Sequence, residues 1–323
     1  MMDMISVVHS SVLKKEVYEF LRPESEGNVL IDATVGEGGH AELFLQAHQD
    51  INVVGVDADS HILGVARRRL GPFGGRVKLY NQWFNSFFAN YPEEIERPDR
   101  ILFDLGISTF HYARAERGFS FQRDEALDMR LEPGLELNAA DIINEYPVGE
   151  LADLFFEYGE ERYSRRIARE IARARSSERI STSGRLAEII WNAVPPNYRH
   201  GRIHPATRSF QALRVVVNGE LVRLSQALDA SLRVLKVGGK MGVIAFHSLE
   251  DRMVKGFFRE KNKSCTCPPE WPMCKCEGRR VVDLLTKKPI RAGAEEVSQN
   301  PSSRSARLRV VRKEIEERFE DQN

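Results

Sequence analysis

Short apolar runs alternate with amphipathic segments along the first third of the chain. The apolar runs are typical of buried strands, and the segments between them repeat apolar residues at helical spacing. The pattern predicts a helix over residues 7–23, strands at 28–32, 52–57, 77–80 and 100–104, and helices over 40–48 and 58–70. Strands that alternate with helices predict a parallel, doubly wound α/β sheet, because parallel neighbours need crossover connections.

The middle of the chain interrupts this alternation. Residues 112–218 read mainly as helices and loops. The strand and helix pattern then returns, with a helix over 221–235 and a strand at 241–246. We therefore expect a sheet domain made of residues 1–111 and 219–323, with residues 112–218 as an inserted helical, substrate-binding domain.

The C-terminal part supplies two further predictions. Ser248 and Asp251 resemble a capping box that opens a helix through Glu260. A loop-rich stretch over 261–301 follows, and residues 306–312 alternate apolar and charged side chains like a closing edge strand.

The composition indicates the cellular compartment of the protein but does not identify a binding partner. The 323 residues contain 47 Lys and Arg and 47 Asp and Glu, so an argument for a nucleic-acid partner must come from local clustering. No apolar run approaches the roughly 20 residues of a membrane span, and no signal-peptide pattern follows Met1. We expect a cytoplasmic protein without a membrane partner. Its oligomeric state stays open, and a homodimer is compatible with the sequence.

All the cysteines lie in one short cluster, formed by Cys265, Cys267, Cys274 and Cys276. This spacing differs from a secreted disulfide framework and indicates a reducing compartment. Four thiolates could hold a structural zinc ion, but C-x-C pairs differ from the common C-x2-C knuckle. A reduced cysteine loop is therefore the alternative, and no metal is predicted in the catalytic site.

A glycine-rich loop follows the first predicted strand. Gly36, Gly38 and Ala41 match the pattern G-x-G-x-x-[GA], and Asp57 ends the next strand. Glycines let the backbone approach a ligand, and the acid can accept hydrogen bonds from ribose hydroxyls. Nicotinamide, flavin and S-adenosylmethionine cofactors share these needs, so the motif predicts a nucleoside site without identifying the nucleoside.

Asp32, directly before the loop, separates these cofactors. A pyrophosphate favours helix-terminal N–H groups without a nearby anion, whereas the ammonium and sulfonium groups of S-adenosylmethionine favour an acid. Asp32 therefore favours a cationic ligand. The alternative is that its carboxylate only caps the turn.

Two strand ends carry candidate catalytic residues. Asp104 ends the fourth predicted strand, and His247 follows the strand at 241–246. Open parallel sheets bind ligands at the carboxyl edge, so either side chain could accept a proton there. A carboxylate that only fixes the loop or contacts the cofactor, and a structural histidine, are the alternatives.

Two arginine clusters supply local positive charge. Arg162, Arg166, Arg169 and Arg173 share one helix face, and Arg304, Arg307, Arg309 and Arg312 form the second cluster. Arginine forks suit phosphates, which indicates an RNA contact. A solvated face with paired glutamates is the alternative.

Several motifs occur in one order along nearly the whole chain. They are His9-Ser-Ser-Val-Leu13, Asp32 to His40, Val56-Asp57, Asp104 to Ser108, Glu116 to Phe121, Leu127 to Arg130, His204 to Arg214, Phe246 to Arg252 and Asn300 to Arg309. The ordered set resembles the ribosomal RNA small-subunit methyltransferase H family, whose members methylate N4 of a cytidine near the decoding centre.

The resemblance implies a class I, Rossmann-like methyltransferase sheet with an inserted helical domain, S-adenosyl-L-methionine as cofactor, and small-subunit ribosomal RNA or the assembled small subunit as partner. Apart from the resemblance, we expect the cytidine to leave its stack and enter the cleft, with Arg117 to Arg130 and His204 to Arg214 forming the cleft wall and holding the RNA backbone. The resemblance also implies cofactor contacts at Gly38, Gly39, His40, Asp57, Phe84, Asp104 and His111. His111 departs from the family, because the related segment usually carries a glutamine at that position.

Two rival functions use part of the same pattern. A nicotinamide-dependent oxidoreductase would need the same glycine loop, and it predicts tight dinucleotide binding. A non-catalytic RNA-binding assembly factor would need the arginine clusters, but it leaves the nucleoside site unexplained.

Overall fold

The computed structural model describes residues 11–24, 28–108, 116–201, 203–264 and 280–316. Within these ranges the chain divides into two compact units. Met1–Gly106 and Val222–Asn323 form the first unit, and Ile107–Leu221 form the second. The predicted boundary after residue 111 lies outside the described residues, and the predicted domain bounds and the substrate-binding role of the helical segment stay predictions.

A seven-stranded sheet forms the centre of the first unit. Its strands are β1 (Val29–Asp32), β2 (Asn52–Asp57), β3 (Val77–Asn81), β4 (Arg100–Asp104), β5 (Lys240–Ala245), β6 (Val282–Leu284) and β7 (Arg307–Lys313). Their order is β3-β2-β1-β4-β5-β7-β6. The first five strands pair in parallel, and β7 is antiparallel to both β5 and β6.

Helices cover both faces of this sheet because the parallel strands have apolar residues on each side. The helices are α1 (Lys14–Leu21), α2 (Gly39–Ala47), α3 (Ser60–Leu70), α4 (Phe84–Ala89), α11 (Glu220–Val234), α12 (Ser248–Lys261) and α13 (Ala294–Gln299). One apolar cluster joins α1, α2 and α3 to Leu30, Val53 and Leu102 of the sheet. The other joins α4, α11 and α12 to the alternate positions Ile31, Val54 and Ile101.

The C-terminal strand differs from its prediction. The sequence predicted a parallel sheet that β7 closes as an edge strand, but β7 lies between β5 and β6 and makes the sheet mixed. The edge strand is β6, in the stretch predicted as loop. β7 can be internal because its charges are satisfied: Arg309 Nε donates to Asp251 at 2.7 Å, and the buried Lys313 Nζ donates to the Leu235 carbonyl at 2.9 Å.

The second unit is helical within the residues described. Its helices are α5 (Ala139–Glu145), α6 (Val148–Gly159), α7 (Ser164–Arg175), α8 (Ser183–Ala193), α9 (Pro196–Arg199) and α10 (Ala206–Val217). One apolar core joins them, with Phe155, Ile171 and Leu213 among its fully buried members. Neither unit contains, among its described residues, a helix with the length and apolar character that crossing a membrane requires.

Candidate active site

Three carboxylates end neighbouring strands at one edge of the sheet. Asp32 ends β1, Asp57 ends β2 and Asp104 ends β4. Asp32 lies opposite Gly55 of β2 and Leu102 of β4 in the parallel register. Because parallel strands run the same way, their carboxyl ends meet at this edge. The structure therefore brings the three predicted acids together.

The glycine loop connects β1 to α2 beside these acids. Gly36 and Gly38 have φ angles of +53° and +83°, which side chains with a Cβ rarely adopt. Gly39 is the buried first residue of α2. The Asp57 carboxylate accepts hydrogen bonds from the Gly36 N–H at 3.0 Å and the Asp59 N–H at 2.9 Å. Asp57 thus ties the loop to β2, and its oxygens retain lone pairs for further donors.

Asp32 is a buried acid at the start of the loop. Its side chain is 1% exposed, and its Oδ1 has no hydrogen-bond partner among the residues described. Burial, with the nearby Asp104 adding to it, raises the pKa of Asp32 to about 7. An acid in this state gains most from a ligand that brings positive charge.

His40 and Asp104 form a second polar group at the same edge. His40 Nε2 lies 3.5 Å from Asp104 Oδ2. Within the described ranges, Asp104 Oδ1 and both His40 ring nitrogens are buried without a hydrogen-bond partner. Buried polar atoms are rarely left without partners, so this group is suited to receive a polar ligand. The residues fit a cationic nucleoside cofactor on this ground.

Thr34 is a site residue that the motifs did not single out. Its Oγ1 accepts a hydrogen bond from the Asp104 N–H at 2.7 Å. This contact fixes the end of β4 against the loop that follows β1. No local pattern in the sequence pointed to Thr34, because its partner Asp104 lies 70 residues later in the chain.

Phe84 lies beside the end of β4. It begins α4, and its half-buried ring meets the buried ring of Phe103 edge to face at 5.7 Å. An aromatic side chain of α4 thus lies against β4, the strand that Asp104 ends. His111 and the cysteine cluster at 265–276 lie outside the described residues.

His247 caps a helix. Its Nδ1 accepts a hydrogen bond from the Glu250 N–H at 3.4 Å, and its Nε2 lies 3.1 Å from Glu250 Oε1. The capping box of α12 is therefore formed by His247 and Glu250, one residue earlier than the predicted pair of Ser248 and Asp251. The sequence rule favoured serine because histidine is an uncommon N-cap. This geometry supports the structural interpretation of His247 more than a role as proton acceptor.

The second arginine cluster is bound within the fold. Arg307 and Arg309 form ion pairs with Asp251, and Arg312 pairs with Glu314. Arg304 is exposed. Three of the four arginines of this cluster therefore have acidic partners within the protein, as the alternative to an RNA contact predicted.

Comparison with known proteins agrees with the family resemblance found in the sequence motifs. A family model described as the MraW methylase family matches residues 6–314. The chain is 55% identical over 306 residues to the ribosomal RNA small subunit methyltransferase H of Treponema denticola, which covers 95% of this chain and 97% of that protein. It is 49% identical to the protein of the same name from Syntrophotalea carbinolica, over 94% of this chain and 98% of that one.

A solved structure gives a weaker match. The crystal structure of an rRNA methylase from Streptococcus thermophilus aligns with a TM-score of 0.41 and 11% identity, over 94% of each chain. The sequence relatives confirm the predicted resemblance to the ribosomal RNA small-subunit methyltransferase H family. The sheet order and the helical segment between β4 and β5 confirm the predicted methyltransferase fold class with a helical insertion. The chain belongs to the MraW methylase family.

Proposed function

We propose that this protein transfers the methyl group of S-adenosyl-L-methionine to the exocyclic N4 of a cytidine in small-subunit ribosomal RNA, near the decoding centre. The observation that carries the reaction and the substrate is the 55% identity to a ribosomal RNA small subunit methyltransferase H over 95% of the chain. The acids at the sheet edge support the cofactor, because a pyrophosphate-containing dinucleotide would be repelled by them.

The side chains of the site are proposed to bind different parts of the cofactor. The cofactor supplies an electrophilic methyl group on a positively charged sulfur. Asp32 favours that positive charge electrostatically, and Asp57 offers oxygens to ribose hydroxyls. The glycine loop and Phe84 hold the nucleoside end.

Asp104 is proposed as the proton acceptor. The exocyclic amine of cytosine is a poor nucleophile because its lone pair is delocalised into the ring, so it must be aligned and must lose a proton. Asp104 Oδ1 is buried and has no partner within the described part of the chain, which leaves it able to accept the amine hydrogen. The cytidine must leave its stack to reach the site.

The raised pKa of Asp32 makes cofactor binding depend on pH. With its pKa at about 7, Asp32 is mostly protonated at pH 6 and mostly ionised at pH 8. The ionised form binds a cation better, so affinity for S-adenosylmethionine should rise about tenfold over this interval, with release of a proton. Calorimetric titrations at several pH values, in buffers of different ionisation enthalpy, measure both quantities.

Asp32→Asn is the matched control for this prediction. The variant should bind S-adenosylmethionine more weakly at pH 8 and without the pH-dependent gain. A pH dependence that persists unchanged in Asp32→Asn would assign it to another group.

The stability of the unliganded protein depends on pH in the opposite direction from cofactor affinity. The pKa of Asp32 is higher in the folded than in the unfolded state, so the stability of the fold falls as the pH rises from about 4 to about 7.

The proposed reaction is tested on its substrate. The protein is incubated with labelled S-adenosylmethionine and small ribosomal subunits that lack the methyl group, and in parallel with the free RNA. We expect one label, on N4 of a single cytidine. Label on another base, or no incorporation into either substrate, would reject the assignment.

A further inference from the structure

Three arginines of the segments predicted to hold the RNA backbone already have partners within the helical unit. Arg117 Nη1 donates to the Arg130 carbonyl at 3.0 Å, and Arg130 binds both oxygens of the Asp128 carboxylate. Arg214 forms a two-point ion pair with Glu220, at 2.8 and 2.9 Å. Their guanidinium groups already have acceptors within this unit, so positive charge without an acidic partner must be sought elsewhere.

Helix α7 carries such charge on one face. Arg165, Arg166 and Arg169 are exposed, and Ile167 and Ile171 are fully buried in the core of the unit. At 100° per residue the three arginines lie on the side opposite Ile171. Helix packing therefore fixes the direction in which this face points.

Ion pairing separates these arginines from others of the unit. In the part of the chain that the structure describes, none of Arg165, Arg166 and Arg169 forms an ion pair. By contrast, Arg173 pairs with Glu170 at the end of the same helix, and Arg179 and Arg185 pair with acids nearby. A solvated face with paired glutamates describes the second group but not the first.

Arg162 lies two residues before helix α7, and its side chain is held in place. Its guanidinium lies over the rings of Tyr163 and Tyr198, at 4.9 and 4.7 Å from their centres. Tyr198 is itself fixed by a hydrogen bond from its hydroxyl to Glu161 at 2.8 Å. Stacking on rings leaves the N–H edge of an arginine open, and it lowers the entropy lost on binding an anion.

We propose that Arg162, Arg165, Arg166 and Arg169, the α7 arginine face, bind phosphates of the substrate RNA backbone. Arginine forks match phosphate geometry, and four cations without carboxylate partners on α7 and directly before it complement a polyanion. Arg162, with its guanidinium held on two rings, is suited to a defined phosphate position. The proposal rests on the proposed function for the identity of the RNA.

The test replaces Arg165, Arg166 and Arg169 with glutamine and measures binding of a fluorescent single-stranded RNA at several salt concentrations. The slope of log K against log salt is negative, and each lost phosphate contact reduces its magnitude by about 0.7, so three contacts reduce it by about 2. At 0.1 M salt we expect binding weaker by on the order of 100-fold, with the difference vanishing toward 1 M.

The matched control replaces Arg173, Arg179 and Arg185 with glutamine. It removes the same charge from the same unit, but from arginines that already have acidic partners. We expect a loss of at most about threefold and an almost unchanged slope. Equal losses in both variants would mean that only net charge matters and would overturn the proposal. Unchanged RNA binding in the α7 variant would also overturn it and would leave an acidic protein surface as the partner.

Cofactor binding keeps this test separate from the proposed function. S-adenosylhomocysteine affinity, measured by calorimetry, should be the same in both variants and in the unchanged protein, which also shows that each variant is folded. A salt-dependent loss of RNA binding supports the α7 arginine face even if no methyl reaches a cytidine. Normal methyl transfer with unaltered RNA affinity in the α7 variant would reject the role of the α7 arginine face and leave the proposed function intact.

Discussion

Replacing Asp104 with asparagine is expected to slow methyl transfer by about 100-fold or more while cofactor affinity changes only a few-fold. Positioned proton acceptors typically contribute about 100- to 10,000-fold to a rate. Asparagine keeps the size of the side chain but cannot take the proton from the cytidine amine. Single-turnover rates with saturating S-adenosylmethionine measure the loss in kcat, and calorimetry with S-adenosylhomocysteine measures the affinity.

His247→Asn is the companion variant for this experiment. Asparagine is a favourable N-cap residue, so it can keep the cap that His247 makes with Glu250 and removes only the titratable ring. We expect its kcat to stay within a few-fold of the unchanged protein. The reverse result, a large loss in His247→Asn and a small one in Asp104→Asn, would transfer the role of proton acceptor to His247. A weaker cofactor affinity with normal kcat in Asp104→Asn would make Asp104 a cofactor contact only.

Gly159→Ala is expected to destabilise the helical unit by about 1 to 3 kcal/mol, the usual cost of overpacking a closed interface. Gly159 ends α6, where α6 and α10 approach closely. A Cβ at this position would lie 2.6 Å from the Arg208 carbonyl oxygen and 3.3 Å from the Ala212 Cβ. Backbone atoms of a helix cannot move aside as a flexible side chain can. Hydrogen exchange of amides in α6 and α10 measures the free energy of opening.

Gly149→Ala, on the same helix, is expected to stabilise the helical unit instead of destabilising it. Gly149 is exposed in the first turn of α6, and a Cβ there meets nothing within 4 Å. Alanine is a better helix former, so we expect opening of α6 to cost about 0.5 to 1 kcal/mol more. Equal effects of the two substitutions would show that helix propensity and not the approach to α10 decides the result at Gly159.

The acids of the site could be predicted because they follow strands. Asp32, Asp57 and Asp104 each end an apolar run, and a parallel sheet brings such ends to one edge whatever the details of packing. Thr34 could not be singled out in the same way, since its value depends on one hydrogen bond to a strand that lies 70 residues later in the chain. The burial of Asp32, which shifts its pKa, likewise depends on the packed structure.

Charged residues explain why the last strand was placed wrongly. Arg307, Arg309 and Lys313 alternate with apolar residues in β7, which is the pattern of a strand with one face in water. The structure instead buries Arg309 and Lys313, because an acid of α12 and the terminal carbonyls of α11 satisfy them. Alternating charged residues indicate a solvent-exposed strand face only when the folded protein offers no buried partner for the charges. Such partners come from distant segments, so the sequence pattern alone could not reveal them.

The insertion of the helical unit between β4 and β5 has a consequence for biosynthesis. β4 pairs with β5 from Arg100 to Asp104, yet the whole second unit is translated between them. A nascent chain therefore exposes one side of β4 until the later strands leave the ribosome, while the helical unit, whose core is made of its own residues, can already fold. The folded insert then shortens the effective loop between the two strands, which lowers the entropy lost when the sheet closes.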